Sequence, residues 1–196
     1  MYNGPSIYKN GGISDGDIIN NIVFGTGVAV ETISAAACEG SYIVTGANNA
    51  GSMTGTFVTV PVSFVLRRLG FFFLQGIGAA GLRVMVYDRT GKAVARTAKF
   101  TVSVLGEQFY PIAEIWNGEE WESKTEKILD GGLGYYLGLY CPQVSSGARF
   151  LGKDAGNNFG PKPWLSWTID NIGLDAPAQI VGGYESSVRH LILGAS

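Results

Sequence analysis

The sequence predicts an all-β protein, an antiparallel β-sandwich of the jelly-roll type with at most one short helix. Two observations predict this class. Short runs rich in β-branched and aromatic residues recur from about residue 22 onward, and glycine-containing turns separate them. In the clearest runs, apolar and polar residues alternate with a period of two, as expected for a sheet with one face on a core. With 196 residues, the chain is long enough for one domain with a core of its own.

The chain divides into two predicted parts. Residues 1–20 are rich in Gly, Asn, Ser and Asp and contain few apolar anchors, so we expect an extended N-terminal arm. Residues 21–196 form the predicted β-sandwich domain. Four residues of the arm are candidates for docking on a larger assembly: Tyr2, Pro5, Ile7 and Tyr8.

The clearest predicted unit is an antiparallel hairpin over residues 82–104. Its first strand alternates between a purely apolar side (Leu82, Val84, Val86) and a second side (Arg83, Met85, Tyr87). The loop at 88–92 contains aspartate and glycine, which are typical turn residues. The second strand is expected to direct Val94, Ala98, Phe100, Val102 and Val104 toward the core, with Arg96 as the one charged residue among them. The opposite face of this sheet is expected to meet solvent.

Two interpretations of residues 117–130 stay open. Asn117 could cap a short helix from Glu119 to Asp130, which Gly131 would end. The dipeptide Asn117-Gly118 is also a strong signal for a tight hairpin turn.

The choice between a hairpin and a helix determines whether Trp116 and Trp121 lie on the same face. A two-residue turn places both tryptophans on one face together with Glu114 and Glu119, and a four-residue loop places Trp116 directly opposite Trp121. A three-residue loop or a helix would separate the two rings.

Trp116, Trp121, Glu114 and Glu119 are therefore the candidate ligand-binding residues. Two indole rings can stack on a sugar, and the flanking carboxylates can accept hydrogen bonds from its hydroxyls. The same two carboxylates could serve as the acid and base of a glycoside hydrolase. The structural alternative is a core or subunit contact, because tryptophan is a preferred anchor in interfaces.

Several function classes have no support in the sequence. A net charge of −2 gives no basic surface for nucleic acid, and the most apolar stretch, Leu69 to Leu82, is too short to span a membrane. One histidine and two cysteines cannot form a His/Cys metal cage. The glycines of residues 76–81 precede a predicted strand, whereas a dinucleotide site needs a helix there. We therefore predict a protein that is not an enzyme, with no catalytic residues, no metal and no cofactor.

The segment Trp167-Thr168-Ile169-Asp170-Asn171-Ile172-Gly173-Leu174 resembles a strand near the end of jelly-roll carbohydrate-binding modules. The resemblance implies a β-sandwich fold and, as an alternative function, carbohydrate or lectin-like binding. In such modules the aspartate can lie near a structural calcium ion, and Asp170 is the one position that matches it here.

The N-terminal arm and the body also resemble bacteriophage virion accessory proteins, such as head fibres, decoration proteins and tail-fibre domains. Residues 2–12 look like their short attachment segments, and the low-charge body rich in Gly, Ala, Ser, Thr and Val looks like theirs. This resemblance implies a structural subunit of a virion that docks by its arm on other virion proteins. It leaves surface glycans open as a further partner, and the lack of a signal peptide fits synthesis in the cytoplasm.

The composition favours self-association. Charged residues make up 15% of the chain and the mean hydropathy is +0.17, so little polar surface is available to water. The run Phe71-Phe72-Phe73 must be buried on both sides of its strand or must meet another subunit. We expect a homo-oligomer, with a trimer favoured.

Overall fold

A computed structural model describes residues 30–31, 42–44, 52–75, 79–142, 149–154, 166–170, 175–180, 189–191 and 193–196. All regular secondary structure in these ranges is β-strand, which confirms the all-β prediction. The arm, residues 1–20, with Tyr2, Pro5, Ile7 and Tyr8, lies outside the described residues. In chain order the strands are β1 (Val30–Glu31), β2 (Tyr42–Val44), β3 (Ser52–Thr59), β4 (Phe64–Leu66), β5 (Arg68–Gln75), β6 (Ala79–Asp88), β7 (Ala93–Thr97), β8 (Phe100–Val102), β9 (Gly106–Trp116), β10 (Trp121–Ser123), β11 (Lys127–Leu129), β12 (Gly134–Cys141), β13 (Arg149–Asp154), β14 (Ser166–Asp170), β15 (Arg189–Leu191) and β16 (Leu193–Ala195).

The strands form one large curled sheet and one small sheet, and every pairing is antiparallel. The main path through the large sheet runs β1-β16-β5-β9-β7-β6-β12-β3-β14. Strands β8 and β10 join it beside β6 and β9, and β13 joins it beside β5. The small sheet is the pair β4–β11. Many neighbouring strands are distant in sequence, as β14 is from β3 and β16 is from β5, which is consistent with a β-sandwich of the jelly-roll type.

The main core lies on one face of the curled sheet. It takes Leu82, Val84 and Val86 from β6, as the sequence predicted, and packs them with side chains from β5, β9 and β12. Phe71 and Phe73 are both buried in it, whereas Phe72, on the other side of β5, is half-buried. The rings of Phe71, Phe100 and Tyr110 stack nearly parallel at the edge of this core.

The opposite face of the sheet, here called the outer face, carries a second core. Met85 and Tyr87 are fully buried there with Met53 and Tyr140. The segment 175–180 covers them, and the Tyr87 hydroxyl donates a hydrogen bond of 2.9 Å to the Pro177 carbonyl. The expectation of a solvent-exposed face for residues 83–87 is therefore wrong, because a distant segment of the chain covers it.

A β-bulge at Val94 changes which side chains of strand β7 point toward the main core. Val86 lies opposite Ala95, but Tyr87 lies opposite Ala93, so Val94 is the extra residue. The bulge shifts the alternation by one position, and Ala95 rather than Arg96 faces the main core. Arg96 instead lies on the outer face, so its assignment to the core side was wrong.

Candidate functional site

A β-hairpin, and not a helix, holds the two candidate tryptophans. Trp121 lies directly opposite Trp116 across β9 and β10, with a four-residue loop between them. The Asn117 Oδ1 accepts hydrogen bonds of 2.9 Å from the backbone N–H groups of Glu119 and Glu120. An N-cap makes the same contacts, which explains why the sequence also fitted a helix. The four-residue-loop interpretation is confirmed, and the helix over 119–130 is wrong.

Trp116 and Trp121 meet edge to face on the outer face of the sheet. Their ring centroids are 5.2 Å apart and their planes are inclined by 66°. Both rings are half-buried and pack against the second core. The Arg96 guanidinium lies over the Trp121 ring, 3.9 Å from its centroid, as a cation–π contact. One face of Trp121 is thus occupied from within the protein.

Glu114 points to the same face, but its carboxylate is hydrogen-bonded to two arginines. Its Oε2 accepts a hydrogen bond of 2.6 Å from Arg96 Nε and one of 3.2 Å from Arg83 Nη1. The hydrogen bond from Arg96, more than the one from Arg83, holds the pKa of the Glu114 carboxyl below its usual value. A general acid needs the opposite shift, so Glu114 is unsuited to that role in glycoside hydrolysis.

Glu119 lies apart from the other three candidates. It is exposed in the hairpin loop, and its described hydrogen bond is the backbone contact to Asn117. No hydrogen bond or ion pair of the described residues joins it to Glu114. The structure therefore brings together Trp116, Trp121 and Glu114, and leaves Glu119 at the tip of the hairpin.

Five charged residues form a network on the outer face, here called the charged network: Arg83, Arg96, Lys99, Glu114 and Asp175. Asp175 lies 3.3 Å from Arg83 Nε, 3.7 Å from Arg96 Nη1 and 3.6 Å from Lys99 Nζ. The Arg83 Nε–H is close to this carboxylate but not aligned for a hydrogen bond with it, so the contact is electrostatic. Both arginine side chains are only 11% exposed. The network thus anchors the segment 175–180 to the sheet.

Sequence reasoning missed Arg83, Lys99 and Asp175 as members of this network. The signal that could have found it was Arg96, a charged residue within an otherwise apolar alternating strand, since buried charges require partners. Near the network, burial and the Asp175 carboxylate raise the pKa of the Tyr140 phenol to about 12. The phenol therefore stays neutral at physiological pH.

The free energy of unfolding is expected to fall at acid pH in a way that depends on Glu114. The pKa of this carboxyl is lowered by folding, so its contribution is present above the pKa of the unfolded chain. That contribution is lost as the pH falls through the lower, folded-state pKa. Urea unfolding of the wild type and of Glu114→Gln from neutral to acid pH measures the effect, and we expect a shallower pH dependence in the variant. Identical pH profiles would show that Glu114 does not contribute.

No group of three or more metal-ligating side chains occurs among the described residues. Asp170 is the last residue of β14, but its side chain lies outside the described part. None of the described residues forms a helix long and apolar enough to cross a membrane.

Comparison with protein-family models, with curated proteins and with solved structures finds no match for this chain.

Proposed function

We propose that this chain is a non-enzymatic structural subunit of a bacteriophage particle, a fibre or decoration protein attached to the capsid or tail. Residues 1–20 dock the subunit on other virion proteins, and the β-sandwich body associates with further copies. The resemblance of the arm and of the low-charge body to virion accessory proteins supports the viral assignment.

The observation that carries the structural role is an exposed apolar surface on the small sheet. We define the β4–β11 face as the solvent side of this sheet, formed by Ser63, Val65, Arg67, Glu126, Ile128 and Asp130. Val65 and Ile128 lie directly opposite each other and are 36% and 59% exposed. Val62 and Leu133, in the flanking turns, are exposed as well. Clustered apolar side chains in water are typical of surfaces that bind another protein.

The state of the charged network supports a non-enzymatic role. Its two carboxylates, Glu114 and Asp175, are both within ion-pair distance of arginines. The ion pairs of Asp175 stabilise the packing of 175–180 on the sheet, and Glu114, whose pKa is lowered, is unsuited to donate a proton.

The solution mass of the purified protein tests the proposal. Light scattering after size exclusion is expected to give a closed oligomer, with a trimer favoured, because a chain with 15% charged residues and a mean hydropathy of +0.17 has little polar surface to present to water. A chain lacking residues 1–20 is expected to keep the same number of subunits in the oligomer, since the arm is proposed to contact other proteins. A monomer at every concentration would contradict the proposal.

Carbohydrate binding is the second candidate function, and the Trp116–Trp121 pair favours it. The two half-buried rings flank the four-residue loop of a hairpin, and the exposed residues Glu119 and Glu120 lie in this loop. Titration with a broad panel of glycans is expected to change the tryptophan fluorescence. The change should disappear in Trp116→Ala and persist in Trp164→Phe, a control that removes an emitter from another part of the sequence. A panel without any response would exclude this function.

A further inference from the structure

The β4–β11 face consists of three rows that run across its two strands. Arg67 and Glu126 form an exposed ion pair of 3.3 Å at one end. Val65 and Ile128 form the apolar row in the middle. Continuation of the same register brings Asp130 beside Ser63, whose Oγ accepts a hydrogen bond of 2.8 Å from Gly131 N–H. Each row therefore joins two different side chains.

This asymmetry within each row decides how a second copy fits. Consider a twofold axis that lies between the two faces and runs parallel to the strands. It places each row over the same row of the second copy, with β4 of one copy over β11 of the other. Arg67 then meets the partner's Glu126, Val65 meets the partner's Ile128, and Ser63 meets the partner's Asp130. A twofold axis across the strands would instead bring Glu126 against the partner's Asp130, and opposed like charges are unfavourable. The face is thus complementary to itself in one of the two orientations.

We infer that the β4–β11 face binds the same face of a second copy of this chain about a twofold axis parallel to the strands. The inference rests on the proposed structural role and names the surface through which copies meet. The apolar row is removed from water at the centre, and the charged and polar rows form the rim, which is the usual arrangement of an interface.

The expected contact is small, and its size determines how strongly two copies associate. Six residues a side are far fewer than the roughly 20–30 residues of a standard stable interface, so two isolated copies associate weakly. Weak contacts become effective when many copies are held together on one particle. Because a twofold contact joins copies in pairs, it would link trimers to each other and would not close a trimer.

Directed disulfide formation tests the orientation. Samples of full-length Val65→Cys and Ile128→Cys, one of them carrying a size tag, are mixed and oxidised gently. We expect the tagged–untagged heterodimer to exceed twice the amount of either homodimer, the ratio that random pairing of equal samples gives, because Val65 faces the partner's Ile128 and two copies of one position lie farther apart. A heterodimer at twice the amount of either homodimer or less would overturn the inferred arrangement.

Sedimentation from about 10 µM to about 1 mM subunit tests the surface itself. The Ile128→Lys variant is expected to weaken this concentration-dependent association about tenfold or more. Val104→Lys, at an exposed apolar residue outside the β4–β11 face, is the matched control and is expected to sediment like the wild type. Unchanged association in Ile128→Lys would overturn the inference and leave the proposed structural role standing. Wild-type protein that stays monomeric over the whole range would contradict both.

Discussion

Replacement of Phe71 by alanine is expected to lower the free energy of unfolding by about 3–5 kcal/mol. Phe71 is 1% exposed and lies in the main core, where its ring centroid is 5.6 Å from that of Phe100 and 6.1 Å from that of Tyr110. Truncation removes a large apolar ring from between rigid strands that cannot collapse onto the cavity. Urea unfolding followed by far-ultraviolet circular dichroism measures the change.

Phe72 is the matched control for this substitution. It is the next residue of the same strand, but it points to the opposite side of β5 and is only half-buried. We expect Phe72→Ala to cost about 1 kcal/mol, since less apolar area returns to water. Equal losses in the two variants would mean that both sides of β5 are buried to the same degree, contrary to the structure.

The Arg96→Met substitution is expected to lower the free energy of unfolding by about 2–3 kcal/mol. The change leaves Glu114 with one arginine instead of two and removes the cation from the Trp121 ring. Breaking a buried ion pair costs about 3–5 kcal/mol, and we take a lower value because the side chain of Glu114 is 28% exposed. Chemical denaturation at neutral pH and moderate salt gives the measurement.

Two further variants separate the charge effect from the packing effect. Arg67→Met breaks the exposed Arg67–Glu126 ion pair and is expected to stay within about 0.5 kcal/mol of the wild type. The double variant Arg96→Met/Glu114→Gln is expected to lose less than the sum of the two single losses, because each single variant already breaks the Arg96–Glu114 ion pair. If the double variant showed the full sum of the single losses, the two residues would not be coupled.

The alternation of residues could be predicted from the sequence wherever the strand is regular. Leu82, Val84 and Val86 face the main core as expected, because their strand keeps a period of two. The facing of Arg96 could not be predicted, since the bulge at Val94 appears only when β7 is paired with β6. The second core was also missed, because the segment that covers Tyr87 is about ninety residues farther along the chain.

The candidate site was predicted in part. Trp116 and Trp121 are opposite each other, as the four-residue-loop interpretation required. The sequence could not choose between hairpin and helix, because Asn117 satisfies the next backbone N–H groups equally well in either conformation. The role of Glu114 could not be predicted either, since its arginine partners come from two other strands.

The order of strands in the large sheet has a consequence for how the chain folds. Leu69 pairs with Ala195, and Met53 pairs with Tyr140, so the closing pairs join distant parts of the chain. Such non-local pairing makes folding slow, because the chain loses the entropy of closing a long loop before the stabilising contacts between the strands can form. Until β5 pairs with β9, β13 and β16, its three consecutive phenylalanines are exposed on an unpaired strand. Newly made chains are therefore most prone to aggregate before β16 is in place, and slow synthesis at low temperature should favour recovery of folded protein.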